Sequence, residues 1–436
     1  MLQTILHQLW NQRRQNGWIF IELLAVSFFL WTAIDPIYVL TANHHIDKGY
    51  NPEGLYVVNI GTYDETHGSY DPAMATDSMC REAYWRIARI VRNQPEVDSW
   101  SISTGWSFPN SSSWNGTQLF ADTASLHRGK GYVHVQQYHF VATEGSDLFR
   151  TYGMKDVRTG GEMVLSPQAR GKAYLSERLA QLLFGTTDVV GKKVYESEQA
   201  IEVAGVFCDF KHRDYEQPYP LIVRMYDDMQ GGLYMPWMYN FVIRLKPDVD
   251  ASAFKRRFQQ EVAPLLSVGN YYFDNLQKFS ALSDAYAMRS GVTNKLRLQY
   301  ALTGFALLCI FLGMVGTFWI RSNARREEIG VMRSMGASQA CIVRQFLIEA
   351  WLLAAIAFAV VIPFLLYHAH VNGLYALEMK EYFVPNPAYG QNRFDFHFTV
   401  VLLFSYLILL LVALVGTYIP VRRAARTLPV EALREE

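Results

Sequence analysis

Cysteine is scarce: the chain has four in 436 residues. Cys309 lies in an apolar run and Cys341 in a polar segment between two such runs. Cys80 and Cys208 fall in the long polar stretch, where they could pair in an oxidising compartment, although nothing in their spacing requires it. No cysteine pair has the spacing of a metal site. Charge is sparse too. Charged residues make up 18%, and 40 basic side chains balance 40 acidic ones, which leaves no basic face for a nucleic-acid partner.

Motifs for chemistry are also missing. A phosphate-cradling loop needs G-x-x-x-x-G-K-[ST] after a strand. The nearest approach, Gly185 to Lys193, has one residue too many between its glycines, and Lys193 stands where Ser or Thr is needed. His44-His45, His134, His139 and the His368/His370 pair lack an H-E-x-x-H context, and no G-x-S-x-G nucleophile turn occurs. The chain reads as neither an enzyme nor a carrier of a metal or cofactor of its own.

What the chain has is apolar length. Half its residues are hydrophobic and 14% are aromatic. Four runs, Trp18 to Leu40, Leu298 to Ile320, Phe346 to Tyr367 and Phe398 to Ile419, each hold about 20 residues or more, enough for a helix through a hydrocarbon core of about 30 Å. Trp18, Trp319, Tyr367 and Tyr418 mark their ends as interfacial anchors would. Arg13 and Arg14, the segment Arg321 to Arg344, and Arg422, Arg423 and Arg426 all fall on one side if the chain begins and ends in the cytoplasm. The expected layout is an amphipathic helix at 1–16 on the inner membrane surface, then spans at 17–40, 296–320, 345–367 and 398–420. A domain at 41–295 and a loop at 368–397 lie outside, and the segment 321–344 and the tail 421–436 lie inside.

Within the outer stretch, Leu55 to Tyr63 and Tyr132 to Thr143 alternate as strands do, and Ile201 to Phe210 and Asn240 to Pro247 are further strand candidates. Met79 to Pro95, Ser176 to Gly185 and Ala251 to Leu266 carry helical spacing. The fold class is therefore a membrane protein of four transmembrane helices in a 1+3 arrangement, with a large α+β extracytoplasmic domain, in one or two subdomains, between helices one and two. The polar stretch Ser101 to Lys130 breaks the pattern as an insertion would. Asp35 sits beside Pro36 at the outer end of the first span, at headgroup depth. Glu22 and Glu349 are acids within spans, which makes them candidates for function, with interfacial snorkelling or pairing to a neighbouring helix as the plainer reading.

The segment Arg321 to Arg344 is too patterned for a mere connector. Ile329, Met332, Met335 and Ile342 recur near helical spacing, with charged Arg325, Arg326, Glu327, Glu328 and Arg333 beside them. Gly330 lies within this helix, and Gly336, followed by Ala337, is placed to end it.

RREEIGVMRSMGAS (Arg325 to Ser338), QFLIEAWLLA (Gln345 to Ala354), the closing PVRRAARTLPVEALREE and the outer segments LSERLAQLLFG and IEVAGVFCDFKHRDYEQPYP, in this order, resemble the MacB/FtsX/LolE superfamily of ABC transporter permeases. The aromatic richness is similar to that of members from the Bacteroidetes. The resemblance implies an inner-membrane protein with a periplasmic domain. It implies a separate ABC ATPase subunit, which binds the ATP and grips the inner segment at Arg325 to Ala337. A second permease chain, as a homodimer or related heterodimer, is implied as well, with a periplasmic adaptor, an outer-membrane channel and membrane lipid as further partners. ATP hydrolysis would then drive work on periplasmic cargo, by efflux or by lipoprotein or peptide export through mechanotransmission. The alternatives are a regulator of a cell-wall hydrolase or sensor kinase that moves no cargo, as in FtsX-like or Bce-like members, and a stand-alone membrane receptor.

Overall fold

The computed structural model describes residues 13–104, 107–111, 114–141, 145–165, 171–226, 239–376 and 383–426; of residues 13–16, 104, 239 and 326–328 it describes the backbone alone. The expected helix at 1–16 falls almost wholly outside the described residues. The chain divides into two compact units, one of residues 1–42, 293–377 and 385–436, the other of residues 43–292 and 378–384.

The first unit is helical. Among the described residues, four helices are long and apolar enough to cross a membrane: α1 (Arg13–His45), α8 (Val292–Ala324), α10 (Gln339–Asn372) and α11 (Phe394–Ala425). The short α9 (Arg326–Ser334) lies between α8 and α10. One buried cluster joins all four long helices. It includes Leu23 and Trp31 of α1, Ile310 and Phe318 of α8, Phe346 and Leu353 of α10, and Leu409 and Ala413 of α11.

The second unit is α+β. Among the described residues, ten strands form one mixed sheet: β1 (Leu55–Thr62), β2 (Val97–Thr104), β3 (Gly116–Leu119), β4 (Val133–Val141), β5 (Ala173–Ser176), β6 (Lys193–Glu196), β7 (Gln199–Phe207), β8 (Leu221–Tyr226), β9 (Tyr239–Leu245) and β10 (Tyr271–Lys278). Their order is β10-β1-β9-β2-β4-β8-β5-β7-β6, with β3 paired to β4. Helices α2 (Asp77–Arg92), α3 (Thr123–Arg128), α4 (Leu148–Tyr152), α5 (Glu177–Phe184), α6 (Ala251–Arg257) and α7 (Phe279–Arg289) complete it. Successive residues of a strand point to opposite faces, and both faces here are covered. Tyr56, Val58 and Ile60 of β1 pack with Tyr84, Ile87 and Val91 of α2. Leu55 and Val57 pack on the other side with Tyr138, Phe149 and Phe207. Burial on both faces explains why Leu55 to Val58, the first half of β1, are all apolar.

Two sequence expectations change, and the open question of a Cys80–Cys208 pair is answered. The stretch Ser101 to Lys130 is not an insertion: it completes β2 and supplies β3 and α3. The helix expected over Ala251 to Leu266 stops at Arg257 and continues as a wide turn, Phe258–Val262, and a tight one, Ala263–Leu266; Pro264 has no N–H to offer the Gln260 carbonyl four residues back, and its ring crowds that carbonyl, so the wide turn cannot close as α-helix. Cys80 and Cys208 are both free. Cys80 is on α2, over β1, β2 and β9, and its thiol donates to the Met74 carbonyl at 3.4 Å. Cys208 follows β7, four strands from β2, or roughly 19 Å at the usual strand spacing, well beyond disulfide reach.

Candidate coupling site

The turn between the second and third long helices is held by ions. Glu349, on the first turns of α10, is 1% exposed. Arg321 Nη2, near the end of α8, donates to its Oε2 at 3.1 Å. Arg325 Nη1, in the step between α8 and α9, donates to Oε1 at 3.0 Å. The guanidinium of Arg321 lies over the Phe318 ring at 5.2 Å, and that of Arg325 over Phe346 at 4.7 Å. One carboxylate thus ties α8, the start of α9 and α10 together. Of the two readings of Glu349, pairing to a neighbouring helix is the one observed.

Helix α9 turns part of its face inward. Ile329 is 2% exposed, Gly330 is buried, and Met332 packs half-buried against the helical core. Arg333 Nη1 donates to the Ala425 carbonyl at the end of α11, at 3.3 Å. Val331, 47% exposed, and Met335, 83% exposed, point away. The helix ends as the sequence leads one to expect. Gly336 takes φ +92°, its N–H bonds the Arg333 carbonyl, and the Ala337 N–H bonds that of Met332, which is the Schellman arrangement. Ser338 then caps α10 by accepting from Cys341 N–H at 3.2 Å.

The predicted charged rim is corrected at one position. Arg325 is buried against Glu349, because a guanidinium in an apolar setting needs its counter-ion, so it is an anchor rather than a surface contact. Ile329 and Met332 are likewise inward. The side chains of Arg326, Glu327 and Glu328 lie outside the described residues. Glu22, half-buried on α1, lies against Gly313 of α8, where any Cβ would strike its carboxylate.

Asp35, at the outer end of the first span, has partners that the sequence did not suggest. It is buried, accepts from the Tyr375 N–H at 2.8 Å, and is paired with His397 Nε2 on α11. His397 Nδ1 meets the Gln391 carbonyl at 2.9 Å. This clasp joins α1, the segment after α10 and α11. Neither it nor the Glu349 cluster was legible by spacing, since their members are tens to hundreds of residues apart in sequence. The only local hint was a lone acid inside an apolar run.

The sequence profile described as FtsX-like permease C-terminal matches residues 300–429. The chain is similar to "Macrolide export ATP-binding/permease protein MacB" of Escherichia coli strain K12, with 25% identity over 297 residues, 66% of this chain and 42% of that protein. The protein of the same description from Shigella sonnei shows the same identity and coverage. The chain thus spans 42% of the length of these curated relatives. Among solved structures, the periplasmic region of MacB from Actinobacillus actinomycetemcomitans overlaps 55% of this chain and 95% of its own, at 12% identity and a TM-score of 0.33. A domain of a putative permease protein from Porphyromonas gingivalis overlaps 52% of this chain and 92% of its own, at 14% identity and a TM-score of 0.31.

Proposed function

We propose that the chain, whose residues 300–429 match the FtsX-like permease profile, is a permease subunit of the MacB/FtsX type that receives mechanical work from a separate ATPase subunit through α9. The observation that supports this most is a short helix between two long apolar ones that exposes Val331 and Met335 while the Glu349 cluster ties its root to α8 and α10. Exposed apolar side chains on a braced helix suit a groove in another protein, and methionine adapts to such a groove. In this reading the ATP is bound by the ATPase subunit. A second permease chain completes the assembly, and the α+β unit works on cargo on the outer side.

The inward placement of Met332 makes it a poor probe, since changing it disturbs the core. Val331→Asp with Met335→Asp is the better test. The pair is expected to lower association with a co-expressed ABC ATPase subunit, and its stimulated hydrolysis, by on the order of 100-fold, with the thermal midpoint of the permease unchanged. Association that survives both substitutions would refute docking through α9.

A further inference from the structure

Lys211 is 1% exposed, and its Nζ donates to the carbonyls of Asn43 at 2.8 Å, Ile46 at 3.5 Å and Asp214 at 2.6 Å. Asn43 is on the last turn of α1 and Ile46 follows it. A helix end leaves such carbonyls without partners and negative, so this ammonium closes the outer end of the first long helix. The same end is held from the side, where Asn43 Nδ2 donates to the Tyr215 carbonyl at 3.1 Å and His44 stacks on the Tyr215 ring at 4.8 Å.

Asp214, buried beside Lys211, gathers the other threads. Its carboxylate accepts from Lys48 Nζ at 2.7 Å, Ser283 Oγ at 2.5 Å, Tyr50 Oη at 3.4 Å and Asn110 Nδ2 at 3.5 Å. Burial alone would raise its pKa, but the bonds from Lys48 and Ser283 outweigh it and hold the carboxyl below the ordinary value. Ser283 is on α7, which leads through Gly291 into α8. Arg213 lies over the Tyr286 ring of α7 at 4.5 Å and pairs with Glu216 at 3.1 Å. The segment holding all these groups runs from β7 to β8, and those strands flank β5 within the sheet.

We propose that the segment Lys211–Gln217, with Lys211 and Asp214 as positioning residues, is the junction that fastens the outer end of the first long helix and the helix leading into the second to the sheet. Displacement of either helix is thereby handed to the α+β unit. The tie itself follows from these contacts; that ATP drives it rests on the proposed function. A cluster that merely filled space would loosen only where it was cut. A junction releases its arms selectively.

Hydrogen exchange of the full chain in nanodiscs separates these cases. Asp214→Asn is expected to speed exchange on the order of tenfold or more both at residues 41–48 and along α7. Ser283→Ala is expected to speed it along α7 alone, and Lys48→Met at residues 41–48 alone. Should Asp214→Asn fail to fold, the two single-arm variants decide the matter. Uniform loosening in every variant, or loosening confined to residues 211–217, would overturn the junction. With the ATPase and ATP added, the parent chain is expected to change exchange in the α+β unit, and the single-arm variants to lose that change while keeping ATPase binding. Single-arm variants that respond as the parent does would overturn the transmitting role. A parent that does not respond would count against the proposed function, and the nucleotide-free exchange pattern would still decide the tie.

Discussion

Glu349 faces two guanidinium groups in a setting where an unmatched charge is costly. Removing its carboxylate leaves Arg321 and Arg325 buried with nothing to oppose them, and breaking a buried pair in this way costs about 3–5 kcal/mol. Glu349→Ala is expected to lower the thermal midpoint of the detergent-solubilised chain sharply. Asp395→Asn, which cuts an exposed pair with Arg393 at 3.5 Å, is expected to shift it hardly at all. Equal shifts would mean that water reaches Glu349. His139 supplies a pH test in the α+β unit. Burial, with Arg224 nearby, lowers its pKa from 6.5 to about 4. Between those values the unfolded chain binds a proton that the folded chain does not, so stability falls as pH drops through that window. Asp209, raised by burial from 3.8 to about 6, acts in the opposite sense, and only a comparison isolates the histidine. His139→Phe is expected to lose stability less steeply than the parent between pH 6.5 and 4; identical slopes would refute the assignment.

At the scale of elements, α9 shows what periodicity can and cannot convey. Ile329, Met332 and Met335 share a helical spacing, yet the first is buried, the second half-buried and the third exposed. The helix ends at Ser334, so Met335 no longer lies on the face that the spacing assigned to it. Ile342 belongs to α10 and is buried in the helical core. Gly336 was legible because a left-handed residue after a helix is a local requirement. Nothing lies where its Cβ would project, so the cost of a side chain there is backbone strain alone, about 1–3 kcal/mol. Gly336→Val is expected to fray α9, seen as faster hydrogen exchange from Val331 to Ala337. Gly336→Asn is expected to fray it less, because asparagine tolerates the left-handed region. Equal protection in both variants would show that the cap does not set the end of α9.

Across the whole molecule, the legible parts are those that need only local information. Apolar length announces the four long helices, and β1, β4, β7 and β9 follow from alternation or unbroken apolar runs. The polar ties do not show in this way. Asp35 meets His397 across 362 positions, and Asp214 meets Lys48 across 166. Ordinary surface residues have the same side chains, and only the fold makes them partners. One whole-molecule property still rests on sequence alone, namely which side of the membrane each part occupies. Arginines at both ends of the segment Arg321 to Arg344 favour the cytoplasm for α9, and the stretch between the first and second spans is then expected outside. Asp64 and Met335, both exposed, report the two sides. With the four native cysteines replaced by serine, Asp64→Cys is expected to react with a membrane-impermeant maleimide in intact spheroplasts, and Met335→Cys only after the membrane is opened. The reverse pattern would invert the topology, and it would remove α9 from the reach of any cytoplasmic ATPase.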